Sequence, residues 1–201
     1  MPKTSSMLAI SATTLIVLAL SACSGQGRAP DASAANQELQ RYKAQEQTEQ
    51  ANLVNFADLD LRVYSGQKWD EVSKSHADNI IVHWPDGRQT VGIDPHIADM
   101  KGLFAFAPDT RIRTQSNKIA QGNLTSVTGV MEGTFTRPLR LPDGRTIAPT
   151  HKPFKYSMVT VARWENGKMA EEWLMWDNAE FLRQIGVNPA DLAPRKDAAQ
   201  R

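Results

Sequence analysis

The stretch from Tyr156 to Trp176 reads YSMVTVARWENGKMAEEWLMW, two runs of aromatic and β-branched residues joined at Glu165-Asn166-Gly167. Asn-Gly between such runs signals a tight hairpin, because the favoured two-residue turns need positive φ. Two antiparallel strands are therefore predicted, Tyr156 to Trp164 and Met169 to Trp176. Upstream, Arg111 to Ala120 and Asn123 to Phe135 are strand-like as well, and Gln121-Gly122-Asn123 joins them.

Working outward, Asn79 to Trp84 is a β-branched run closed by Pro85-Asp86-Gly87 and resumed by Arg88 to Val91, which predicts a strand, a turn and a second strand. Asp94-Pro95 supplies a cap and a first-turn proline for a helix carrying Ile97, Met100 and Phe104 on one face, ended by Pro108. Gln37 to Tyr64 contains no Pro or Gly and predicts a long helix stopping at Gly66. A short helix follows from Trp69 to about Ala77, and a last one covers Asn178 to Ile185 before Gly186. The longest connection runs from Thr136 to Lys155. Helices gathered at the front and hairpin strands at the back exclude a doubly wound parallel sheet. The expected fold is α+β, a curved antiparallel sheet covered on one face by amphipathic helices, with a concavity between them as the default ligand site.

The chain has 201 residues, 41% hydrophobic and 22% charged, which fits one ordinary domain plus a short addition. Acidic residues number 22 against 23 basic ones, with no basic stripe, so no nucleic-acid partner is expected. The single cysteine excludes an intrachain disulfide, a Cys-rich zinc site and a CxxC pair. The four histidines show no HxH or HExxH spacing, and P-loop, Rossmann and Gly-x-Ser-x-Gly motifs are missing. The expectation is therefore no metal and no cofactor.

Lys3 precedes an apolar stretch from Met7 to Leu20, too short to span a bilayer and followed by small residues, as in a signal peptide. Leu20-Ser21-Ala22-Cys23 resembles the lipobox of bacterial lipoproteins, with Cys23 as the lipidated residue; a plain secretory signal ending at Ser-Ala is the alternative. Ser24 after the cysteine resembles outer-membrane sorting in Gram-negative bacteria, with the domain facing the periplasm. The expected organisation is signal peptide 1–22, lipidated Cys23 and tether 23–36, folded domain 37–187 and charged tail 188–201.

His83-Trp84-Pro85-Asp86-Gly87-Arg88, Pro108-Asp109-Thr110, the Gly129 and Glu132 stretch, and Glu171 to Asp177 followed by Phe181-Leu182-Arg183-Gln184-Ile185-Gly186 together resemble the SnoaL-like ester cyclases of the nuclear transport factor two-like superfamily. The likeness covers about 53–187. It implies a cone-shaped α+β fold with a buried apolar pocket, often in a homodimer, and does not imply one chemistry. In the family's polyketide cyclases a pocket aspartate serves as acid/base in an aldol ring closure without metal or cofactor. Asp177 stands at the matching place in the Trp-x-x-x-Asp ending.

On a strand, Trp173, Met175 and Asp177 share one face, and Glu172, Leu174 and Trp176 the other. Were the first face inward, Asp177 would be a desolvated acid/base. Asp177-Asn178-Ala179-Glu180 equally resembles a capping box in which Asp177 only caps the last helix. Glu172 is then expected at the surface or paired. His83 is the second catalytic candidate, as proton donor or oxyanion partner, or else a structural histidine. Trp84, Phe104, Met131, His151, Trp173 and Met175 are candidate pocket residues, whereas His76 and His96 receive no role. Two functions stay open: a cofactor-independent cyclase, isomerase or hydrolase acting on a small apolar carbonyl or epoxide compound, or a non-catalytic lipoprotein that binds a small hydrophobic molecule or docks a partner.

Overall fold

The computed structural model describes residues 32–193; Cys23 and the signal segment lie outside them. Helix α1 (Ala32–Asp58) leads directly into one π-helical segment, Leu59–Tyr64. It begins ahead of the expected Gln37, inside the proposed tether, where Ala32, Ala34 and Ala35 supply the best helix former. A 3₁₀ turn, Trp69–Lys74, leads to β1 (His76–His83), β2 (Gln89–Val91) and α2 (Ile93–Phe106). Four strands follow: β3 (Arg111–Gln121), β4 (Leu124–Thr134), and the two-residue β5 (Leu139–Arg140) and β6 (Thr146–Ile147) within the long connection. The chain continues through β7 (Pro153–Glu165), β8 (Lys168–Met175), α3 (Asn178–Ile185) and α4 (Pro189–Leu192).

The main sheet has the order β2-β1-β8-β7-β4-β3. Its hairpins are antiparallel, while β1 and β8 run parallel. The fold is α+β: a curved, open sheet whose concave face is covered by the end of α1 and by α2. Phe56, Val63, Val72, Ile80, Val82, Phe135, Phe154 and Ile185 are almost wholly inaccessible and form the core between these layers. Among the described residues no helix is long and apolar enough to cross a membrane.

Two local irregularities position everything that follows. In the π segment, Ser65 N–H donates to the Asp60 carbonyl (3.3 Å) and Lys68 N–H to the Val63 carbonyl (2.8 Å), five-residue spacings in place of four. In β8, Trp164 pairs with Met169 but the preceding Arg163 pairs with Glu171. Ala170 is thus an extra, unpaired residue, a β-bulge.

Candidate functional site

The bulge decides which side of β8 faces the helices. Without it, the Asn166-Gly167 turn would set Ala162 opposite Glu171, and Trp173 and Met175 would point inward. With Ala170 inserted, Ala162 pairs with Glu172 and Thr160 with Leu174. Because a one-residue slip moves every later side chain to the other face, Glu172, Leu174 and Trp176 turn inward. The expected separation of the two faces holds, and the choice of inward face is corrected.

A cavity of about 220 Å³ lies between that face and the helices. Its wall is mainly aromatic and thioether: Phe56, Tyr64, Trp84, Met100, Phe106, Met131, Tyr156, Met158, Trp176 and Phe181. Trp84 and Trp176 meet edge to face at 6.3 Å. The indole N–H of Trp84 donates to Thr90 Oγ1 (2.9 Å), which donates in turn to Asp99 (2.6 Å), and this fixes the ring. The Tyr64 and Tyr156 hydroxyls converge on the Met131 sulfur at 4.0 and 3.0 Å. Burial pushes both phenols above their ordinary pKa, with Tyr156 and Asp60 adding to the effect at Tyr64. They therefore stay protonated donors.

Three carboxyl groups line this largely apolar space: Asp99, already bonded to Arg88 and Thr90, and Asp60 and Glu172. Asp60 comes from the π segment, which directs Leu59, Asp60 and Tyr64 together at the cavity. Gln115 from β3 donates to its Oδ2 at 2.6 Å. Burial raises the Asp60 carboxyl to about 7 against the lowering effects of Gln115 and Lys118. Asp60 is only partly buried and lines the cavity. Glu172 comes from β8 and is 4% exposed; burial, assisted by the nearby Asp60 charge, raises it to about 8.

Glu172 sits against two histidines. Its Oε1 is 3.2 Å from His96 Nε2 and its Oε2 is 4.0 Å from His76 Nε2. Burial depresses His76 to about 3, with His96 contributing, and His96 to about 4. At neutral pH these contacts therefore join neutral groups, not an ion pair. His76 opens β1, where Ser75 and Met169 anchor it through Met169 N–H donating to the Ser75 carbonyl (2.7 Å). His96 lies in the first turn of α2, which is capped at Gly92 and not at Asp94 as expected. Gly92 has φ 99° and ψ 148°, a region essentially closed to other residues.

Of the residues singled out from sequence, Trp84 and Met131 line the cavity. Phe104 is buried edge-on against Tyr64 at 5.1 Å but is not part of the lining. Trp173 lies on the outer face, stacked on His83 at 5.1 Å and 2°. His83 itself contacts Glu171 at 2.8 Å on that face, Met175 is 46% exposed, and His151 is exposed in a loop. Asp177 is exposed and caps α3, accepting from Glu180 N–H at 2.9 Å. Asp177 and His83 are therefore not brought together and neither reaches the cavity, so their placement as pocket residues is corrected. Asp60, Tyr64, His76, His96, Tyr156 and Glu172 replace them. A readable signal existed on β7: Phe154, Tyr156, Met158 and Trp164, all even-numbered, are its bulky residues and mark its inward face.

The sequence matches the model of the SnoaL-like polyketide cyclases over residues 55–185. No curated protein matches it. Among solved structures, IdmH of Streptomyces antibioticus, a proposed polyketide cyclase, is similar at 22% identity and TM-score 0.57, over 68% of this chain and 99% of that one. A proposed SnoaL-like polyketide cyclase from Jannaschia sp. CCS1 is similar at 17% identity and TM-score 0.61, covering 71% and 96% of the two chains. A protein with a ketosteroid isomerase-like fold from Catenulispora acidiphila, solved in complex with trimethylamine, gives 16% and 0.55 over 71% and 97%. These likenesses establish the shared fold. Built on that fold around a cavity closed by its matched segment, the chain belongs to the SnoaL-like polyketide cyclase family.

Proposed function

We propose that this protein is an enzyme of the cyclase or isomerase type that moves a proton on a carbon next to a carbonyl in a small apolar compound. The observation that carries this reading is Asp60, a carboxyl group held by Gln115 in the wall of an apolar cavity beside two buried phenols. Asp60 in its ionised form accepts the α-proton as the C–H bond breaks, and the electron pair moves to the carbonyl oxygen. Tyr64 or Tyr156 donates a hydrogen bond to that oxygen as its charge develops. Return of the proton to another carbon isomerises the compound. Attack of the carbon on a second carbonyl of the same molecule closes a ring, and the resulting alkoxide takes the proton from Asp60. The pKa near 7 suits either direction of transfer at neutral pH.

The test is exchange of α-hydrogen for deuterium in small apolar ketones such as cyclohexanone and decalone, followed by mass spectrometry in D₂O. Wild-type protein should accelerate exchange, and Asp60→Asn should lower it about a hundredfold or more. Equal exchange by both proteins would overturn the assignment. Retention of a ketone with no exchange would favour a carrier with the same cavity. The lipobox-like Leu20 to Cys23 supports display on the envelope by a lipid on Cys23, and membrane fractionation of Cys23→Ala against wild type tests that part.

A further inference from the structure

The proton chemistry above uses Asp60 and the phenols, and leaves His76, His96 and Glu172 without a task. All three line the cavity and are 1, 2 and 4% exposed. One ligating atom from each lies within 4.8 Å of the others. The surroundings of His76 select its tautomer. The Ser75 hydroxyl donates to the Val72 carbonyl at 3.0 Å, so its oxygen must accept from His76 Nδ1 at 2.9 Å. The proton is then on Nδ1, and Nε2 keeps a bare lone pair directed toward Glu172. That Nε2, and Nδ1 of His96, are buried without any hydrogen-bond partner. Leaving such atoms buried and unpaired is costly, and each occurrence calls for an explanation.

We propose that His76, His96 and Glu172 form a binding site for one divalent transition-metal ion of the zinc type. Two imidazoles and one carboxylate are the donors of open zinc sites. Donors placed about 2.0–2.2 Å from an ion are about 3.0–3.6 Å apart. The His96 to Glu172 separation of 3.2 Å meets this, and the His76 separation of 4.0 Å needs about half an ångström of side-chain rotation. Val72 and Ser75, hydrogen-bonded to His76 Nδ1, act as the outer shell that orients a ligating imidazole. Because the three side chains cover only one side of the ion, its remaining positions face the cavity and are open to water or to an oxygen of the bound compound.

The test uses the full-length protein in detergent, stripped with a chelator and then titrated with Zn²⁺ by calorimetry and with Co²⁺ by visible absorption. One equivalent of each ion should bind, and Co²⁺ should give the absorption of a low-coordinate site. Glu172→Gln, which keeps the volume, and His76→Gln should each weaken binding about a hundredfold or more. Glu171→Gln and His83→Ala, on the opposite face of the same strands, should leave it unchanged. Asp60→Asn should also bind metal normally while losing ketone exchange, which separates failure of this site from failure of the proton-transfer reading. Absence of a stoichiometric ion in wild type would overturn the proposal, as would full-strength binding by folded Glu172→Gln. If the histidine variant does not fold, the wild-type Co²⁺ spectrum together with Glu172→Gln decides.

Discussion

Glu171 and Glu172 are identical neighbours on one strand, and each faces a histidine from β1, yet their surroundings are opposite. On the outer face Glu171 receives His83 at 2.8 Å and Arg163 at 3.2 Å, and His83 is stacked on Trp173. His83 first, and Arg163 after it, lower the Glu171 carboxyl. Both carboxylate oxygens of Glu171 have partners there. On the inner face Glu172 has two neutral histidines, one of whose nitrogens is orphaned on each ring. The contrast shows where to look for chemistry: a saturated polar network has nothing left to offer a ligand, and an under-saturated one in an apolar cavity does.

The largest difference between the two faces should appear with pH. Asp60 has a folded pKa raised from 3.8 to about 7, so the folded state binds its proton more tightly than the unfolded chain. Its contribution to stability is full below about pH 4 and is lost as pH rises toward 7, amounting to as much as about 4 kcal/mol. Asp60→Asn should therefore be more stable than wild type at pH 8 and nearly equal to it at pH 4, measured by urea unfolding across that range. Glu171 behaves with the opposite sign, its lowered pKa giving stability that is present above about pH 4.5 and lost on acidification. A variant difference independent of pH would remove Asp60 from the inner group.

A middle-sized effect is expected at the strand end. Asp177→Ala should lose about 0.5–2 kcal/mol through the missing cap of α3, while Asp177→Asn should be within a few tenths, because Asn caps as well as Asp. Thermal melts of the two variants check this, and ketone exchange should be untouched in both. Smallest of all, Glu171→Gln should cost no more than about 1 kcal/mol, as for other solvent-facing ion pairs. A larger loss would mean that the outer network is a structural keystone and not a saturated surface.

Much of the fold was readable because its signals are local. Asn178 to Ile185 is the observed α3 to the residue, since Asp177 accepts at its start and Gly186, at φ 68°, ends it in the left-handed region. The β7–β8 hairpin follows from Asn166-Gly167, where both residues take positive φ. The site was less readable because it depends on register. Nothing about Ala170 as a residue announces a bulge, and a turn counted without it puts Trp173 and Met175 inside. His76 and His96 belong to different elements, 20 positions apart in sequence, and only the packing of α2 on β1 gives them a common neighbour. Asp60 was hidden by α-helical counting, which cannot show that the end of the long helix is wound differently.

The π turn bears on the history of the protein. A π turn holds one residue more than the α turn it replaces, which in a gene is a single codon. Leu61, 45% exposed within the segment, is the kind of residue whose loss the core would scarcely register. Its deletion would restore the four-residue ladder and leave Asp60 and Tyr64 three positions apart, a spacing that still shares one helix face. A lineage shedding that codon would thus keep both residues on the cavity side and would lose only the wider turn that seats them now.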